Sequence, residues 1–166
     1  MSDRGELAAE LAGRYVTGHA GAEKQDFAYW SGLPAALAAD GWAGRRCAAA
    51  PIDSPRPLGT SEPLDVLPAR LLGAFDEYLL GWRDRRSIVD TEYSRRILNG
   101  GIISAAMLWQ GRIVGTWRVV SMRRSAMVSL DPFYPAPVQA SWEELFAEES
   151  ADVLRFLGVS GGDRDR

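Results

Sequence analysis

A chain of 166 residues, 46% apolar and 25% charged, is long enough for one ordinary domain or two small modules in contact, and too apolar for wholesale disorder. Its net charge of −3 and pI near 5.2 exclude an indiscriminate grip on nucleic acid, so any affinity for phosphate must come from a local patch. Cys47 alone excludes an internal disulfide, and no apolar run is long enough to span a bilayer, so a cytoplasmic protein without membrane contact is expected.

From Glu6 to Gly18, Leu7, Leu11 and Tyr15 recur at helical spacing, with Ala8, Ala12 and Val16 one step round, which predicts an amphipathic helix. His19, the single histidine, follows in a turn. With no metal-ligand spacing and no nucleophile beside it, it reads as a surface residue. A second helix is predicted from Glu23 to Ser31 and, after the break SGLP, a third from Pro34 to Asp40, where proline suits the first helical position. Three short helices with a tight turn between the last two form a helix-turn-helix pattern, whose third helix is the one that would enter a major groove. That helix, AALAADGW, has no Arg, Lys, Asn or Gln to bond base edges, so sequence-specific readout is not expected. This module spans 1–47. Residues 48–70, with Pro51, Pro55, Pro57 and Pro63, read as an irregular linker or degenerate wing before a second module over 71–166.

The second module opens on LLGAFDEYLLGWRDRR, residues 71–86, whose crowded apolar centre must be buried while its arginines need water or anions. Ser87 to Leu98 is predicted helical, with Arg95 and Arg96 in its last turn. An antiparallel meander follows over 102–109, 112–122 and 126–130, with turns at Gln110–Gly111 and Arg123–Arg124. In its middle strand Ile113, Gly115, Trp117 and Val119 are expected on one face and Val114, Thr116, Arg118 and Val120 on the other. Ser141 caps a final helix with a stripe of Trp142, Leu145, Phe146, Val153 and Leu157, and the tail after Gly158 is expected to be disordered. The fold class is α+β: a three-helix winged-helix-like module, then a small antiparallel, barrel-like meander with flanking helices.

Nucleotide loops and zinc sets are absent, so no metal, cofactor or catalytic residue is assigned. Acid pairs in the final helix, Glu143 with Glu144 and Glu148 with Glu149, read as solvated charges. The chemistry-bearing feature is charge asymmetry. Between Arg83 and Arg124 stand nine arginines against three acids, a local balance of +6 that leaves −9 for the rest, and Trp82, Trp109 and Trp117 lie among them. Arg83, Arg85, Arg86, Arg95, Arg96, Arg118, Arg123 and Arg124 are the candidate DNA contacts, with Arg95, Arg96, Arg118, Arg123 and Arg124 expected on one basic face.

LLGAFDEYLLGWRDR, GRIVGTWR and DFAYWSGLP resemble the winged-helix DNA-binding proteins that include the AlkZ and YcaQ type DNA glycosylases, over about three quarters of the chain. The resemblance implies tandem winged-helix modules with a concave DNA-binding surface. Members of that family are roughly twice as long, so this chain is similar to their C-terminal half. Their catalytic Gln-x-Gln motif belongs to the other half, and Gln25, Gln110 and Gln139 do not reproduce its spacing. The expected function is therefore weak, non-catalytic binding of duplex DNA through phosphates. The alternatives are a split glycosylase that works with a separately encoded N-terminal portion, or a decayed fragment with no specific partner.

Overall fold

The computed structural model describes residues 3–19, 21–46, 68–122, 125–138 and 140–159. The fold is α+β, as expected, and the chain divides into two compact units. The first is built from α1 (Asp3–Gly18), α2 (Lys24–Ser31), α3 (Ala35–Gly44) and the later segment Glu77–Arg85, which contains the single-turn helix α4 (Glu77–Leu80). The second holds β1 (Arg70–Leu72), a 3-10 turn at Thr91–Tyr93, α5 (Ser94–Ile97) and the strands β2 (Leu98–Asn99), β3 (Ile102–Ile103), β4 (Ala106–Trp109), β5 (Arg112–Ser121) and β6 (Ala126–Pro132). It ends with the helices α6 (Trp142–Leu145) and α7 (Ala147–Phe156). The stretch 71–86 is thus not one element. Its first residues pair in a sheet and its later ones complete the helical unit.

In the helical unit the three helices form where periodicity and proline place them, but α1 presents the alanine side of its apolar face to α3. Ala8, Ala9, Ala12 and Tyr15 are buried while Leu7 is 59% exposed. The cause is the close approach of α3: a Cβ on Gly41 would stand 2.7 Å from the Ala8 carbonyl oxygen and 2.8 Å from the Ala8 Cβ. Only small side chains fit between helices at that separation, so alanines displace the leucine stripe from the interface. Tyr15, Phe27, Ala12 and Ala38 form the core, with Trp30 and Trp42 packed against it.

In the second unit four strands run in the order β1-β4-β5-β6, all neighbours antiparallel, so β5 is internal as expected. Gln110 and Gly111, both with positive φ, make the two-residue turn between β4 and β5 that a right-twisted hairpin requires. The expected alternation along β5 breaks at its start. A bulge between Met107 and Leu108 sets Leu108 opposite Ile113 and Met107 opposite Gly115, leaving Val114 as the extra residue. Val114, not Ile113, therefore joins Met107, Trp142 and Phe146 in the core, with Trp117 packed alongside. Gly115 admits no side chain here, because a Cβ would lie 2.7 Å from both the Asp131 carbonyl oxygen and the Met107 Sδ. Gly115→Ala is expected to cost about 1–3 kcal/mol by overpacking against backbone, measured as a lower urea midpoint.

The helix expected over 87–98 shrinks to the 3-10 turn and α5. Ile88 is withdrawn from helical bonding because its carbonyl accepts the Ile113 N–H at 2.8 Å, and Asp90 is extended. Leu98 and Asn99 pair instead with Ile103 and Ile102 across Gly100–Gly101. The final helix breaks at Phe146: Trp142 and Phe146 are buried and Val153 on α7 is half-buried, whereas Leu157, just past the end of α7, is 49% exposed, so the predicted stripe fades along α7. Ser141 caps α6 as predicted, accepting the Glu144 N–H at 3.2 Å while Glu144 accepts the Ser141 N–H at 2.7 Å. Ser141→Ala is expected to cost about 1 kcal/mol.

Ala69 is buried in the core and Arg70 opens β1, an edge strand that the proline count of 48–70 concealed. Glu149, expected to be a solvated charge, holds that edge. It pairs with Arg70 at 2.9 Å and accepts the Leu71 N–H at 2.9 Å. Residues 48–67, Cys47 and the tail from 160 lie outside the described residues.

Candidate nucleic-acid interface

On the outer face of the β5–β6 ribbon Arg118 stands opposite Ser129, and Thr116 opposite Asp131. These side chains line a shallow groove of about 330 Å³. Arg118 is exposed and has no carboxylate partner among the described residues, and the same holds for Arg95 on α5. Arg96 reaches the groove's edge. Its guanidinium pairs with Asp131, which also accepts from the Thr116 hydroxyl at 3.5 Å, and lies 4.6 Å over the Phe133 ring. Because both members of the Arg96–Asp131 pair are exposed, it is weak and an incoming phosphate can displace it.

Arg112 is more firmly held, since it pairs with Asp90, whose other carboxylate oxygen accepts the Tyr134 hydroxyl at 2.5 Å, and it also donates to the Ser87 carbonyl at 3.2 Å. Burial first, then the hydrogen bond to Asp90, pushes the Tyr134 hydroxyl up to about 12. Two of the three tryptophans expected among the arginines pack against the core of this unit: Trp117 donates to the Leu72 carbonyl at 2.7 Å and Trp109 meets Trp142 edge-on at 5.6 Å.

The helical unit carries a second cationic surface. Asp26 on α2 accepts the Glu23 N–H at 2.9 Å through one oxygen and the Arg83 N–H at 3.0 Å through the other. That second bond ties the segment after α4 to the start of α2 and sets the exposed Arg83 at the rim of a groove of about 450 Å³, where Lys24 also stands. Arg85 bonds the Leu79 carbonyl and lies over the ring of Tyr29, 5.2 Å from its centre, with its Nη2 donating to the Tyr29 hydroxyl at 3.3 Å. Sequence reasoning passed over Lys24, Asp26 and Tyr29. The only signal was an acid three residues into a helix start, which pattern alone cannot tell from an ordinary cap.

His19 is not a surface turn residue. Its ring stacks on Tyr15 at 4.3 Å, meets Trp82 edge-on at 5.6 Å, and its Nε2 lies 3.6 Å from Glu77, which also accepts the Trp30 N–H at 2.5 Å. This cluster closes α4 onto α1. The candidate arginines thus divide: Arg83 and Arg85 belong to the helical unit, and Arg86, Arg95, Arg96 and Arg118 to the other. Arg123 and Arg124 lie outside the described residues, and among the described residues no group of acids, histidine or cysteine could hold a metal ion. No described helix is long and apolar enough to cross a membrane.

A family model described as DNA glycosylase AlkZ-like matches residues 1–156. An interstrand DNA cross-link repair glycosylase of Streptomyces sahachiroi is 34% identical over 96 residues, which cover 55% of this chain and 24% of that protein. The solved structure of the Streptomyces sahachiroi DNA glycosylase AlkZ superposes on 97% of this chain with a TM-score of 0.66 at 22% identity, and the match covers 46% of that structure. The likeness in structure establishes the fold, and the chain spans less than half the length of either relative.

Proposed function

We propose, because this chain belongs to the AlkZ-like DNA glycosylase family, that it is a DNA-holding module for base-excision repair, gripping duplex DNA by its phosphates rather than by its sequence. The observation that carries this reading is Arg118, exposed and without a carboxylate partner among the described residues, set in the β5–β6 groove beside the hydroxyl-bearing Thr116 and Ser129. A guanidinium flanked by hydroxyls is suited to a phosphate oxygen, and Arg95 and Arg96 add charge within the same unit. With no Arg, Lys, Asn or Gln on α3, the contacts contribute affinity and little sequence preference. The partner is duplex DNA, met in the cytoplasm.

Fluorescence anisotropy with a labelled duplex over a range of salt tests this. Each arginine that neutralises a phosphate accounts for about 0.9 of the slope of log K against log salt, so Arg95→Ala with Arg118→Ala is expected to flatten the slope by about 1–2, equally for unrelated sequences. An unchanged slope would clear these arginines of any contact, and no binding of the wild type at low salt would leave a fragment without a partner.

A second reading rests on the family match across residues 1–156: the module acts in catalysis when joined by a separately encoded portion bearing Gln-x-Gln. Base release on mixing the two portions, and from neither alone, is its expected result.

A further inference from the structure

We propose that the groove between α2 and α3 is a site for one unpaired nucleotide, with the base against Tyr29 and its flanking phosphates on Lys24 and Arg83. The inference rests on the DNA reading only in taking the ligand to be nucleic acid. It concerns a different surface in a different unit.

The groove holds about 450 Å³, room for a nucleotide and far too little for a duplex. Its depth comes from α3. Ala35, Ala38 and Ala39 line it where longer side chains would fill it, so the alanine content that leaves this helix without Arg, Lys, Asn or Gln is what opens the cavity. Chemistry is graded across it. The floor is alanine methyl groups, one wall is Tyr29, 49% exposed even with Arg85 over its ring, and the rim carries Lys24 and Arg83 with no acid in the lining.

An apolar floor, an aromatic wall and a cationic rim are what a base and its phosphates need for sequence-tolerant binding. Asp26, the nearest carboxylate on α2, does not oppose this, because both its oxygens accept backbone N–H groups and one of those bonds places Arg83. Asp26 is therefore a positioning residue. The amide of Gln25, also in the lining, supplies both donor and acceptor to a base edge without fixing its identity.

The test is anisotropy of a labelled oligothymidylate about twelve nucleotides long, alongside the labelled duplex, with wild type, Lys24→Ala/Arg83→Ala, Tyr29→Ala, Ala39→Leu and Arg118→Ala. Tyr29→Ala is expected to weaken single-strand binding about 5- to 100-fold, and the double charge variant to flatten its salt slope by about 0.7 for each phosphate that is no longer neutralised. Ala39→Leu fills the floor without removing a charge or an aromatic ring and is expected to weaken it as well. Far-ultraviolet dichroism and melting confirm that each variant folds.

Single-strand binding that survives all three groove variants overturns this proposal, even if Arg118→Ala weakens duplex binding. Loss of single-strand binding in the groove variants while Arg118→Ala leaves the duplex untouched supports it and overturns the duplex reading instead. A wild-type protein that binds no oligothymidylate at low salt also overturns it.

Discussion

Phe146→Ala is expected to lower the stability of the sheet-containing unit by about 3–5 kcal/mol. Phe146 is fully buried, packs with Ala69, Met107, Val114 and Trp142, and stands where α6 ends and α7 begins. Emptying that position leaves a cavity between β4, β5 and α6 that the bulged Val114 cannot fill without breaking its register. Chemical denaturation followed by tryptophan fluorescence should show the loss as a lower midpoint with an unchanged slope, since Trp109, Trp117 and Trp142 surround the site. A shift worth less than about 1 kcal/mol would mean that the core collapses around the gap, and that α6 is not held where the structure places it.

Alkaline pH is expected to weaken the helical unit through Tyr15. This residue is 3% exposed, donates its hydroxyl to the Gly81 carbonyl at 2.5 Å, and has its pKa pushed up to about 12 by burial first and by the Asp26 and Glu77 carboxylates after it. In the unfolded chain the same hydroxyl ionises near 10. Below that pH both states keep the proton and the stabilising bond is intact. Between about 10 and 12 the unfolded chain releases the proton while the folded one holds it, so stability falls by about 2–3 kcal/mol across the window.

Tyr134 shifts in the same direction, mainly by burial, so part of the alkaline decline belongs to the other unit. Tyr15→Phe separates them. It removes the hydrogen bond at neutral pH and should make the helical unit's stability less dependent on pH above 10. A curve parallel to wild type over that window would show that the hydroxyl titrates in the folded state as it does in water.

The arginine-rich stretch from Arg83 to Arg124 was the most informative functional feature in the sequence, and folding divides it among roles that composition could not separate. Arg112 is committed to Asp90 and Arg85 to Tyr29 and the Leu79 carbonyl, while Arg95 and Arg118 stay exposed without carboxylate partners among the described residues. Counting charges along a chain measures a local excess and does not show which acid from elsewhere arrives beside each base. Asp131 meets Arg96 across 35 residues, and Glu149 meets Arg70 across 79. For the same reason Trp109 and Trp117 read as stacking surfaces in a list and prove to be parts of a core.

By itself the sequence determined the three N-terminal helices, the turn at Gln110–Gly111, the internal position of β5 and the cap at Ser141. Each of these depends on residues close together in the chain: a 3.6-residue period, a proline at a helix start, a glycine with positive φ, a serine three residues before an acid. Only the tertiary structure decided that alanines rather than leucines face α3, that Val114 slips out of alternation, and that Ile88 bonds a strand instead of a helix. It also decided that Asp26 sets Arg83 at the mouth of the α2–α3 groove. Apart from the bulge, whose partner β4 lies just across the hairpin turn, those outcomes are set by partners roughly 20 to 60 positions away, whose approach distance selects among faces and bonds that the local chain leaves nearly equal in energy.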